Sequence, residues 1–253
     1  MWDATPEITR AVTAGAEREA WRAPLSRAAL KTSVLHPLSS SAWVDAPSRP
    51  DPPRDASPPD PSAFLAACDS VTARATETLE WAKQNKASLL TIALDRLTLA
   101  RAGWYRALLA PPTGAQWPAS PLPEIEAHLT AAVDGLRKAG TMDHLPRGLL
   151  TQAWYLAVTG ERAGARAALE EAWRIAEAGP MPLFQADILL TRARLFGMKS
   201  EELGSKSEEV GMKNGEYPWG SARADLEEAR RLIEEHGYHR RDGELEDAQA
   251  MTR

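Results

Sequence analysis

From Ala63 onward, apolar residues recur at i, i+4 and i+7 in long segments separated by Pro, Gly and polar clusters, the spacing of one face of an α-helix. The pattern predicts helices over 63–85, 88–109, 121–139, 145–159, 161–178, 182–196, 219–236 and 241–251. The breaks have physical causes: Pro111-Pro112 and the prolines from Pro118 to Pro123 interrupt one connection, and Gly160, Gly179-Pro180 and Gly237 fall where helices should stop. Upstream the pattern fails. Seven prolines lie between Pro47 and Pro61, where missing amide donors and fixed φ exclude both helix and central strand. Residues 7–30 read as one or two short helices broken at Pro24, with Trp21 and Leu25 as contacts. The expected organisation is an N-terminal arm over 1–60 with a Pro-rich linker, then a helical domain over 63–251. A polar hexapeptide is nearly duplicated, Lys199-Ser-Glu-Glu-Leu-Gly and Lys206-Ser-Glu-Glu-Val-Gly, which marks about 198–216 as a flexible surface insertion.

Inside these helices a small-x3-Leu-x2-Ala pattern recurs at Ala75/Leu79/Ala82, Ile125/Leu129/Ala132, Ala165/Leu169/Ala172 and Ala222/Leu226/Ala229. Such positions form one stripe, where small residues let a neighbouring helix approach while Leu fills the groove between turns. Stacked helical hairpins require this, and each copy falls in the later helix of a pair. The intervals from Ala75 to Ile125 to Ala165 to Ala222 are 50, 40 and 57 residues, so the array is irregular. The first motif helix has the Pro-rich arm where its hairpin partner should be; its apolar face is either open or covered by residues 7–30, and that end resembles a truncation. In the last pair Asp187 stands at a small position, where it should be hydrogen-bonded or at the solvent edge.

Composition agrees with an all-α fold: 45 Ala and 29 Leu stand against 7 Val and 6 Ile. One cysteine, Cys68, allows no internal disulfide, which fits a reducing, cytoplasmic setting. The N-terminus lacks a basic and apolar leader, no window approaches a membrane span, and a net charge of −5 argues against a nucleic-acid binder.

Residues Pro146 to Gly179 resemble a tetratricopeptide repeat, with Leu149, Ala153 and Leu156 in the first helix, Gly160 in the turn and Ala165, Leu169 and Ala172 in the second. A wider resemblance covers roughly 70–250, on Thr78-Leu-Glu-Trp-Ala-Lys-Gln, Ile92-Ala-Leu-Asp-Arg-Leu-Thr-Leu-Ala-Arg-Ala, Ala132-Val-Asp-Gly-Leu-Arg-Lys-Ala-Gly, Asp143-His-Leu-Pro-Arg-Gly-Leu-Leu and Gly237-Tyr-His-Arg-Arg-Asp-Gly-Glu-Leu. These stretches look like the C-terminal tetratricopeptide region of bacterial NACHT/STAND-type signal-transduction ATPases. The resemblance implies an irregular right-handed helical solenoid and a docking role in signalling.

The sequence has no G-x-x-x-x-G-K-[ST] and no G-x-G-x-x-G after a strand; Gly135-Leu-Arg-Lys-Ala-Gly-Thr has a superficial glycine spacing but no lysine after Gly140 to reach phosphate. His236 and His239, with Arg240 and Arg241, suit a helix end, where cations complement the negative pole and Gly237 terminates the helix, better than a metal site. Asp143-His144 precedes the helix start at Pro146 as a cap or turn. Cys68 reads as an inert packed thiol, and Glu170-Glu171, Glu227-Glu228 and Glu234-Glu235 as solvated helix faces beside Arg residues. Trp81, Trp104, Trp154 and Trp173 are expected mostly in the core, with a fraction lining a groove. The expected function is a non-enzymatic protein-interaction scaffold, with no cofactor or metal, taking a protein or peptide on Arg147, Leu150 and Trp154. Its alternative is a detached or degenerate sensor region that acts only when docked to an NTPase or effector. A cryptic hydrolase on the His/Asp groups is the third and weakest reading.

Overall fold

The computed structural model describes residues 61–109, 122–197 and 217–252. The expected arm over 1–60 and the insertion over 198–216 lie outside the described residues. Within them the chain forms eight α-helices: α1 (Pro61–Gln84), α2 (Leu89–Leu109), α3 (Pro123–Ala139), α4 (Leu145–Val158), α5 (Arg162–Ala178), α6 (Pro182–Phe196), α7 (Ala222–Glu235) and α8 (Asp242–Met251), with a 3₁₀ turn over His239–Arg241 before α8. All eight predicted helices are present. The largest boundary difference is at α7, which starts at Ala222 because Ser221 caps it, its Oγ accepting from the Ala224 amide at 3.1 Å. Pro123, Pro146 and Pro182 each stand in the first turn of their helices, where a missing amide donor costs nothing.

Consecutive helices pack as antiparallel pairs, α2 with α3, α4 with α5 and α6 with α7, while α1 packs onto α2. The first helices of the pairs, α2, α4, α6 and then α8, also touch one another in order and form a row. The recurring stripe is what holds the pairs together. Ala75, Leu79, Ala82, Ile125, Leu129, Ala132, Ala165, Leu169, Ala172, Leu226 and Ala229 are all buried, and Ala222 is half-buried at the first turn of α7. Gly135 shows how closely α2 and α3 approach, for a Cβ there would lie 2.8 Å from the Ala93 Cβ. Its place in a glycine-containing run is a packing requirement.

The apolar stripe of α1 is covered by α2. Phe64 and Cys68 pack against Tyr105 and Leu109, and Ala75 and Leu79 against Leu99 and Ile92. The opposite face carries exposed Ser70, Glu77 and Glu80. Trp81 belongs to that face at 60% exposure, contrary to the expected core position. It lies two residues from Leu79, about 200° around the helix, so the stripe that buries Leu79 turns Trp81 outward. Trp104 and Trp154 are buried as expected, whereas Trp173 is half-buried.

Helix α6 is buried on nearly every side from Ala186 to Phe196, although it carries Asp187, Arg192 and Arg194. Each of these charges has company. Arg192 lies between the Trp173 and Trp219 rings, 4.7 and 4.6 Å from their centroids, and Trp219 in turn meets Phe196 edge-on at 5.1 Å. Asp187 and Arg194 face the 3₁₀ turn and α8. Among the described residues no helix is long and apolar enough to cross a membrane.

Candidate functional site

The row of first helices carries the chain's internal polar chemistry, and its two ends differ in kind. At the α6–α8 end the charges are paired. Arg241 is 1% exposed; its Nε lies 2.9 Å from Asp187 Oδ1 and its Nη2 donates to Oδ2 at 3.1 Å. Arg241 Nη1 also donates to Glu244, whose other oxygen accepts from Arg194 Nη1 at 3.4 Å. The Tyr238 hydroxyl accepts from Arg241 Nε at 3.3 Å and from Arg240 Nη2 at 3.2 Å. The expected dipole-complementing role of Arg241 is therefore wrong. Gly237, at φ +64°, ends α7, with the Tyr238 amide donating to the Ile233 carbonyl and the Gly237 amide to the Glu234 carbonyl. That turn swings the chain back, so Arg241 enters the interior under α6 instead of standing at the helix pole. Asp187 is buried and ion-paired, so the hydrogen-bonded half of its expectation holds and the solvent-edge half does not. Burial raises its pKa to about 6 although the Arg241 guanidinium pulls the other way.

At the α2–α4 end the cations have no such partners. Arg101 on α2 reaches across to α4, its Nε donating to Thr151 Oγ1 at 3.0 Å and its Nη2 to the Arg147 carbonyl at 3.0 Å. Tyr105 stands one turn along the same helix, and its hydroxyl is a buried atom without a hydrogen-bond partner; Arg147 Nε is another. All three side chains are half-buried, so solvent still reaches them. Among the described residues neither guanidinium has a carboxylate at ion-pairing distance. Desolvation draws the Arg101 pKa down to about 10, with the Arg147 charge adding to the fall. Desolvation likewise lowers Arg147, opposed by the charges of Tyr238, Asp187 and Asp143. Burial pushes the Tyr105 phenol upward, so it stays protonated and able to donate. Two guanidinium groups and a phenol thus lie partly stripped of water, with no carboxylate at ion-pairing distance among the described residues.

The expected partner-binding residues divide. Leu150 and Trp154 are 2% and 1% exposed and belong to the main core, so in this structure neither presents a surface to a partner. The helical register explains it, because α4 is clasped by α3 and α5 and also touches α2 and α6, which leaves few of its faces free. Arg147 alone of the three is half-exposed. Arg101 and Tyr105 were missed as candidates, since an Arg inside an Ala/Leu helix reads as an ordinary helix-former. Their signal is the i,i+4 placement beside buried Leu97 and Leu108, which puts a cation on a largely apolar helix.

The remaining candidates make local contacts. Asp143 makes no cap: His144 occupies the N-cap position of α4 without a side-chain cap bond, and its Nε2 lies 3.6 Å from Asp143. His239 Nδ1 lies 3.2 Å from Asp242 at an exposed position. Burial pushes the Cys68 thiol up to about 11, as suits a packed sulfur. Glu170, Glu227, Glu228 and Glu235 pair with arginines on their own helices, while Glu171 accepts from Arg137 Nη2 at 2.7 Å and Nε at 3.1 Å across α3 and α5. No family model matches the chain, and no curated protein or solved structure is significantly similar to it.

Proposed function

We propose that the chain is a non-enzymatic protein-interaction module, a tetratricopeptide-like right-handed helical array whose row of first helices receives an acidic segment of a partner protein. The observation that carries the reading is the pair of half-buried arginines, Arg101 and Arg147, without an acidic partner among the described residues, beside the unsatisfied Tyr105 hydroxyl. A partner carboxylate accepting from these donors would form charge-assisted hydrogen bonds in a site already partly desolvated. Leu150 and Trp154 act behind this surface, fixing α4 so that Arg147 is held in place. The resemblance to the repeat region of signalling ATPases supports the alternative, a detached or degenerate sensor region active only when docked to an NTPase or effector.

The test is fluorescence anisotropy with a labelled Glu-rich octapeptide, in versions with free and amidated C-termini to separate terminal from side-chain carboxylates. Binding to the full chain should weaken at least tenfold in Arg101→Gln/Arg147→Gln and fall steeply with salt. Equal binding by the variant rejects the reading.

A further inference from the structure

A third guanidinium stands beside the two half-buried cations of α2 and α4, that of Arg240 in the 3₁₀ turn before α8. Its Nη2 donates to the buried Tyr238 hydroxyl at 3.2 Å and its guanidinium lies 4.9 Å from the centre of the Tyr238 ring, which steadies an exposed side chain at the α6–α8 end of the row. Among the described residues no carboxylate lies at ion-pairing distance from Arg240. Its charge reaches Arg147, whose pKa is depressed first by burial and then by Arg240. We propose that the anionic group received by this site is a phosphoryl ester on a serine or threonine of the partner's segment, and that Arg240 joins Arg101 and Arg147 in holding it. The proposal rests on the reading of Arg101 and Arg147 as an anion receptor and names the anion.

Charge selects the ligand. Asp187 and Glu244 are matched by Arg241 and Arg194, and Asp143 is the further carboxylate whose charge reaches Arg147, so Arg101, Arg147 and Arg240 together keep an excess of two positive charges. One carboxylate brings a single negative charge and two oxygens, and leaves part of that excess unanswered. A phosphoserine or phosphothreonine carries about −1.5 to −2 at pH 7 and three strong acceptor oxygens. The donors are in place, since the Tyr105 hydroxyl and Arg147 Nε have no hydrogen-bond partner and Arg240 donates to the Tyr238 hydroxyl alone among the described residues. Guanidinium forks suit phosphate oxygens in bidentate pairs. A nucleic-acid phosphate fits less well: the chain carries a net charge of −5, and the exposed indole of Trp81 lies on the outer face of α1, away from the row, so it offers these arginines no platform for a stacked base.

The test is fluorescence anisotropy on the full chain in phosphate-free buffer, with the Glu-rich octapeptide in three labelled forms that carry Glu, phosphoserine or serine at one central position. Wild type should bind the phosphoserine form about tenfold more tightly than the Glu form, and the serine form more weakly than either. Arg240→Gln, a change at an exposed position, should lose most of that preference while its melting temperature is unchanged and its affinity for the Glu form stays within about threefold. Equal binding of the Glu and phosphoserine forms by wild type, with both weakened in Arg101→Gln/Arg147→Gln, overturns the phosphoryl assignment and leaves the carboxylate reading standing. An undiminished preference in Arg240→Gln overturns the place given to Arg240. Displacement of the phosphoserine form by inorganic phosphate as readily as by the unlabelled phosphopeptide assigns the site to free phosphate and overturns the peptide. Unchanged affinity of every form in Arg101→Gln/Arg147→Gln removes the proposal and the reading beneath it together. Arg147→Gln alone, which keeps the backbone carbonyl that holds Arg101, covers the case in which the double variant misfolds.

Discussion

Truncating Arg241 and truncating Arg101 should change stability by very different amounts, although both are arginines on or under the same helix row. Arg241→Ala leaves Asp187 and Glu244 buried without their shared cation. Breaking a buried pair from one side costs about 3–5 kcal/mol, because the remaining charge stays desolvated. At about 2–4 °C per kcal/mol for a chain of this size, the melting temperature should fall by roughly 6–20 °C. The deficit also has a pH signature. Asp187 already titrates at about 6 in the folded chain against an ordinary 3.8, so its contribution to stability is full below about 4 and is lost as pH rises through 6. Removing Arg241 raises that folded pKa further, so the penalty should be larger at pH 7.5 than at pH 5. Arg101→Met relieves a different burden. Its pKa falls from 12.5 to about 10 on desolvation, a cost bounded by about 3 kcal/mol at 1.36 kcal/mol per unit. Loss of its bonds to Thr151 and the Arg147 carbonyl costs about 1 kcal/mol each, leaving the variant at most about 1 kcal/mol more stable. Urea unfolding followed by circular dichroism at both pH values measures all four quantities. A loss in Arg101→Met as large as that in Arg241→Ala would refute the distinction between a paired and a receptive end.

Three other outcomes follow from the packing. The Cys68 thiol, raised from 9.0 to about 11, should react with iodoacetamide about a hundredfold more slowly in the folded chain at pH 8 than in urea, in proportion to its thiolate fraction; equal rates would place it at the surface. Ala165→Trp should destabilise by about 1–3 kcal/mol or more, since Ala165 has no exposed surface, whereas Ala222→Trp at a half-buried first-turn position should cost far less; comparable losses would break the repeat register. Arg192→Ala empties the space between Trp173 and Trp219 and should cost about 1–4 kcal/mol with a change in tryptophan emission, and an unaltered spectrum would count against the sandwich.

The helices were legible because their cues are local. Apolar spacing, Pro146 and Pro182 at helix starts and Gly237 at a helix end act within a turn or two, and the small-x3-Leu-x2-Ala stripe names the buried face directly. Errors arose where a side chain's fate depends on distant sequence. Asp187 finds Arg241 across 54 residues, and Arg101 finds Thr151 across 50, so neither pairing leaves a trace in periodicity. Leu150 and Trp154 were assigned to a surface because one helical wheel cannot show how many neighbours surround α4.

The same non-locality explains where function can reside in such an array. Apolar stripes fix the pairing of helices and tolerate little change, and the row of first helices is where polar side chains from sequence-distant segments converge. At the Asp187–Arg241–Glu244 end that convergence is internally neutralised and buried, which makes it a fastening for α8 and the turn before it. At the Arg101–Arg147 end like charges are held together by Thr151 and a backbone carbonyl, with no carboxylate contact among the described residues. Holding two cations in that state lowers stability, and a helix pair selected only for stability would lose one of them to Leu or Met. Retaining both makes sense where an incoming anion recovers the cost, and that is the physical ground of the proposal that α2 and α4 carry recognition.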